Sequence, residues 1–156
     1  MARSAKKIKR GFTETLDKKS IENNRIVSII RLDGLFIFLD KKGLTISYTK
    51  LNQDQEGKTS NDADQCTEAL LETSKVNPFF NLGKNTHVRP SAIEAIESIN
   101  GKDYKGIIIR GEEDAILSFL PVPLAEKRDL AVTQLHAAME SFEAGKFVQP
   151  DLAGIL

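Results

Sequence analysis

The sequence predicts an α+β fold, antiparallel sheet with two helices. Three observations predict it: short β-rich runs punctuated by turn dipeptides, two longer segments with helical spacing, and an internal echo of a strand-strand-strand-helix plan. At 156 residues the chain suits one domain, burying about 68–70% of the surface its unfolded form exposes.

Residues 1 to 20 carry seven Lys/Arg against two Asp/Glu, while the remainder carries fifteen against twenty. They read as a basic, flexible N-terminal arm. Such an arm serves as a contact for nucleic acid or another anionic surface, or is simply a solvated terminus. Next, Arg25 to Leu32 is rich in β-branched residues and ends at Asp33-Gly34, the dipeptide of tight hairpins. LFIFLD reads as a central strand covered on both faces, and Lys41-Lys42-Gly43 as the following turn. LTISYTKL alternates Leu44, Ile46 and Tyr48 against Thr45, Ser47 and Thr49, which predicts a strand with its apolar set inward.

NQDQEGKTSND contains no apolar residue and reads as a loop, with Ser60 or Asn61 capping a helix over residues 62–74. Asn77-Pro78 ends that helix. Ser91 to Ser98 holds strong helix formers, yet the Asn100-Gly101 turn behind it favours a strand, with a bulge suggested by apolar residues three apart. YKGIIIRG and AILSFL are strands around an acidic turn at Glu112-Glu113-Asp114. That turn is read as a polar hairpin rather than a cation site. The last helix, 124–144, places Leu124, Ala131, Leu135, Ala138 and Phe142 on one stripe, and Gly145 ends it.

Ile26, Ile29, Leu32 and Asp33-Gly34 match Ile93, Ile96, Ile99 and Asn100-Gly101 at a spacing of 67 residues. The domain over residues 21–146 therefore divides into related halves, 21–76 and 77–146, followed by an apolar-tipped tail, Phe147 to Leu156.

The same sequence narrows the function classes. It has no apolar run near the ~18 residues of a membrane span and no secretory signal, so a cytoplasmic protein without a membrane partner is expected. Cys66 is the single cysteine, which excludes an internal disulfide and predicts a buried thiol. With only His87 and His136 and no HExxH spacing, no zinc site is expected. There is no GxSxG, GxxxxGK[ST] or GxGxxG motif, so the reading is non-enzymatic, with no cofactor.

FFNLGKNTHVRPSAIEAI, Phe79 to Ile96, sets Lys84, Asn85, His87 and Arg89 between two hydrophobic anchors. Lys and Arg meet phosphates, while Asn and His also reach base edges. These four residues form the candidate nucleic-acid contact edge, and Lys6, Lys7, Lys9 and Arg10 form an electrostatic arm. The stretch resembles the LytTR-type DNA-binding domains. Phe80, Leu82, Lys84, Val88, Ile93 and Ile96 occupy that family's hydrophobic and basic frame, whereas Asn81, Gly83, Asn85 and Arg89 depart from its usual Arg, His, Ser and Asn. The resemblance implies a largely β core and DNA binding. The duplicated strand-helix plan is also similar in outline to the Whirly family of single-strand binders, without its lysine-glycine-lysine patch. A nucleic-acid-binding protein, with DNA as the favoured target, is thus the first functional expectation. The alternative is an assembly module (adaptor, inhibitor or self-associating component) that meets a protein partner or a second copy through the tail.

Overall fold

The structure, a computed structural model, describes residues 11–52, 57–83 and 86–156. It opens with a hairpin of β1 (Phe12–Glu14) and β2 (Ser20–Glu22), so the fold begins within the segment assigned to the arm. A 3-10 turn, Asn23–Arg25, leads into a meander of β3 (Ser28–Leu32), β4 (Leu35–Leu39) and β5 (Thr45–Lys50), followed by α1 (Ser60–Glu72). The same order then recurs. Strands β6 (Phe80–Asn81) and β7 (His87–Val88) precede a 3-10 turn, Pro90–Ala92. A second meander follows, β8 (Ala95–Asn100), β9 (Lys105–Arg110) and β10 (Ile116–Pro121), and then α2 (Ala125–Glu143). The class is α+β with antiparallel sheets and two helices.

Spacing is conserved between the two passes. Asn23–Arg25 and Pro90–Ala92, like Ser28 and Ala95 at the starts of β3 and β8, stand 67 residues apart. The second hairpin is longer by four residues, after which β5 and β10 stand 71 apart. Both meanders carry a register shift at the matching place, Phe38/Leu39 and Ile109/Arg110. The turn dipeptides differ in use. Asp33-Gly34 closes a two-residue turn between Leu32 and Leu35, whereas Gly101 to Tyr104 bridge the Asn100–Lys105 pair.

The hairpins part company in the sheets. Strand β7 pairs with β3, through Ser28–Val88 and Ile29–His87, giving a five-stranded sheet of order β5-β4-β3-β7-β6. Strands β10-β9-β8 form a separate three-stranded sheet, and β1-β2 remains a two-stranded one. Phe80 thus pairs in the first sheet while its ring packs in the core of the second, and Phe79 packs in the core of the first. One core lies under α1, where Ile26, Ile29, Phe36, Phe38 and Phe79 meet Ala63, Cys66 and Leu70. The other joins Phe80, Leu82 and Val88 to Ile107, Ile109 and Leu117 and to Ala131, Leu135 and Ala138 of α2.

Several sequence expectations are corrected. Thr59, not Ser60 or Asn61, caps α1: its hydroxyl accepts the Asp62 N–H while the Asp62 carboxylate accepts the Thr59 N–H. Strand β5 is turned over, with Ser47 and Thr49 buried and Leu44 and Tyr48 exposed. Ser47 and Thr49 lie opposite Phe38 and Phe36, and their small side chains leave the space those rings fill. Ser91 and Ala92 form the 3-10 turn, and β8 runs against β9 without the anticipated bulge. In α2, Leu124 is the exposed residue before the helix. Arg128 instead joins the buried face, donating from Nη1 to the carbonyls of Val122 and Pro123. Gly145, at φ +88°, closes α2: its N–H reaches Phe142 O, and the Lys146 N–H reaches Ser141 O.

The tail turns back onto its own fold. Leu152 and Ile155 enter the α2 core, Phe147 stacks on Phe80 at 5.7 Å, and Gln149 hydrogen-bonds β6.

Asp17, in the β1–β2 loop, links that hairpin to β5. Burial raises its pKa, but hydrogen bonds from Thr15, Ser47 and the Tyr48 N–H, with Lys19 nearby, hold it below the usual carboxylate value. A depressed folded value means that the stabilisation is complete above the unfolded pKa and is lost as pH falls through the folded one. Urea unfolding of the parent and D17N should therefore show a stability gap at pH 6 that shrinks towards pH 3. A gap independent of pH would contradict this role.

Candidate functional site

Of the expected contact edge, Lys84 and Asn85 lie outside the described residues, as do Lys6, Lys7, Lys9 and Arg10. His87 and Arg89 are described and are not on the surface: they are 7% and 1% exposed. This corrects their placement on an exposed edge, and the cause is local. The first 3-10 turn and the segment after α1 leave carbonyl groups facing inward, and the Arg89 guanidinium meets them. Its Nε donates to Ile26 O at 2.6 Å, Nη2 to Asn23 O at 2.8 Å and Ser74 Oγ at 3.4 Å, and Nη1 to Asn77 O. The guanidinium carbon sits 4.0 Å from the centroid of the Phe79 ring. Desolvation lowers the Arg89 pKa to about 10, so the group stays charged at neutral pH while it ties three chain segments together.

His87 pairs with Asn81 across β7 and β6 and borders a cleft of about 420 Å³ with Asp64, Thr67 and Glu68 of α1. Its Nδ1 has no hydrogen-bond partner among the described residues, and burial pulls its pKa below the ordinary histidine value, favouring the neutral ring. Neither residue lies on an exposed edge, and Arg89 lines the wall of a second, larger cleft.

A larger cleft, about 600 Å³, opens where the two passes of the chain meet. Matching positions line it from both sides: Asn24 with Ser91, Arg25 with Ala92, Val27 with Glu94, and Lys41 with Glu112. Lys41 and Glu112 approach to 3.9 Å across it. Its mixed charges favour no single ligand class.

Cys66 is buried under the β1–β2 hairpin, its Sγ 4.0 Å from Glu14 O, and burial pushes the thiol pKa up. Reaction of the native protein with a disulfide reagent should be slower than that of the urea-unfolded chain by at least an order of magnitude. Equal rates would show an accessible thiolate.

Apolar side chains exposed or only half-buried occur in matched sets. In the first meander Ile37 lies opposite Tyr48, beside Leu32; in the second Ile108 lies opposite Phe119, beside Ile99. Tyr48 is 47% exposed and Phe119 36%. Ile37 and Ile108, like Tyr48 and Phe119, are 71 residues apart, and Leu32 and Ile99 are 67 apart. Tyr104 makes an edge contact with Phe119 at 6.5 Å, and the Arg110–Glu97 ion pair, at 2.6 Å, flanks the second set. These residues were missed in the sequence because each looked like ordinary core. The internal echo, extended past its first hairpin with four extra residues, marks them.

No family model, no curated protein and no solved structure matches the chain. Among the described residues, no helix is long and apolar enough to cross a membrane.

Proposed function

We propose that this chain is a non-enzymatic protein-interaction module, an assembly component built from a duplicated strand-helix unit. The observation that carries the proposal is the pair of matched cross-strand apolar sets, Ile37–Tyr48 and Ile108–Phe119, each an exposed aromatic ring beside a half-buried isoleucine. Isolated exposed apolar residues are ordinary. Cross-strand apolar pairs left open at equivalent places in both meanders fit a surface kept for a partner. Aromatic residues are also enriched where interfaces concentrate their energy.

The test is the size of the native assembly. In gentle extracts the parent should elute well above its own 17.3 kDa, and the double substitution Tyr48→Ser with Phe119→Ser should lower that mass. A parent that elutes alone, or a double variant that keeps the larger mass, would contradict the proposal.

A second reading, nucleic-acid binding, is favoured by one observation, the charge of the first 20 residues, and by the LytTR-like frame. Its contact residues would be Lys6, Lys7, Lys9 and Arg10, with Lys84 and Asn85. Phosphate contacts would make binding fall steeply with salt. Fluorescence anisotropy with single- and double-stranded oligonucleotides tests it, and absence of binding at low salt ends it.

A further inference from the structure

We infer that the outer edge of β8 is the seat of a second copy of this chain, paired antiparallel through its own β8. The inference rests on the protein-interaction reading and names its partner.

The two larger sheets have four edges, and three of them carry a guard. At β5, the Asp17 carboxylate accepts the Tyr48 N–H at 3.1 Å, and Lys19 Nζ donates to Ile46 O at 3.1 Å. At β6, the Gln149 side-chain amide behaves as a peptide group. Its Oε1 accepts the Asn81 N–H at 2.7 Å, and its Nε2 donates to Phe79 O at 3.0 Å. At β10, the turn before β5 closes on the backbone so tightly that a Cβ on Gly43 would come within 2.8 Å of Ile116 O.

Strand β8, against which α2 packs, carries no hydrogen-bonded guard among the described residues. None of its six residues is fully buried, and no side chain hydrogen-bonds its backbone. AIESIN also lacks the Lys or Pro that commonly blunts an edge, and its one charge, Glu97, is drawn onto Arg110 at 2.6 Å.

The first pass shows what this edge accepts. Strand β3, the counterpart of β8, has the same edge filled by β7, which pairs with Ser28 and Ile29. A six-residue unguarded strand is also what a second copy offers, and most homo-oligomers close by a two-fold axis that sets one patch against itself. An axis normal to the sheet requires paired residues of like parity. Centring on Glu97 would oppose two carboxylates. Centring on Ser98 sets Ser98 on Ser98, Glu97 against Ile99 of the second copy, and Ile96 against its Asn100. The result is a continuous six-stranded sheet, on which the Ile99, Ile108 and Phe119 set of one copy adjoins that of the other.

Ser98 is exposed, so charge can be placed there without touching either core. Light scattering coupled to size exclusion should give the parent twice the 17.3 kDa chain mass at high micromolar concentration. S98K and S98E should each run as monomers with the parent's circular dichroism, and an equimolar mixture of the two should recover the dimer. A monomeric parent, or S98K and S98E that each keep the parent's mass, overturns the inference. The interaction reading then stands or falls separately on whether the extract assembly survives Tyr48→Ser with Phe119→Ser.

Discussion

Arg89→Ala should lower unfolding stability by roughly 3–5 kcal/mol, the largest single-residue effect anticipated in this protein. The carbonyls of Asn23, Ile26 and Asn77 all take donors from this one side chain. Truncation leaves them buried against a void, and each buried acceptor without a partner costs about 1–3 kcal/mol. Loss of the contact with the Phe79 ring adds to the cost. Arg89→Lys should recover little, since an ammonium offers its donors from one point and cannot span carbonyls held in different segments. Urea titration measures both, and an R89A midpoint close to the parent's would show that these contacts carry no stability. The prediction also separates roles: an arginine that reads phosphate tolerates truncation in the free protein, whereas this one does not.

Removing Phe147 to Leu156 should cost a comparable amount. Leu152 and Ile155 are both nearly fully buried in the α2 core, and burying such side chains contributes about 1.5–3 kcal/mol each. Together with the Gln149 clamp on β6, the loss should lower Tm by roughly 10–20 °C for a domain of this size. Gln149→Ala alone should cost only about 1 kcal/mol while opening the β6 edge. Thermal melts followed by circular dichroism decide this. A truncated chain that melts with the parent would return the tail to the partner-binding role its apolar tips first suggested.

Much of the fold is legible in the sequence because its signals are local. The β-branched run before Asp33-Gly34, the apolar block Leu35 to Leu39 and the glycine after Ala144 each specify their element through nearest neighbours. The facing of β5 was not legible in the same way. A period of two says that two faces differ, and only Phe36 and Phe38 across the sheet make Ser47 and Thr49 the inward pair. Arg89 is the sharper case. Basic neighbours around it suggest a surface, but the acceptors that bury it come from residues 63 and 66 positions earlier, and no local pattern announces them. The apolar sets at Tyr48 and Phe119 lay between these extremes. The echo that locates them was visible at Ile26 to Gly34, and a four-residue lengthening of the second hairpin hid its continuation.

The most direct measurement places a photo-crosslinking amino acid at Tyr48 or at Phe119 in the full chain inside cells, with Glu68 on α1 and Glu143 on α2, both exposed, as controls. If the open sheet faces are the working surface, positions 48 and 119 give discrete protein adducts and positions 68 and 143 do not. Adducts only at the helix positions, or none at any of the four, would contradict the account.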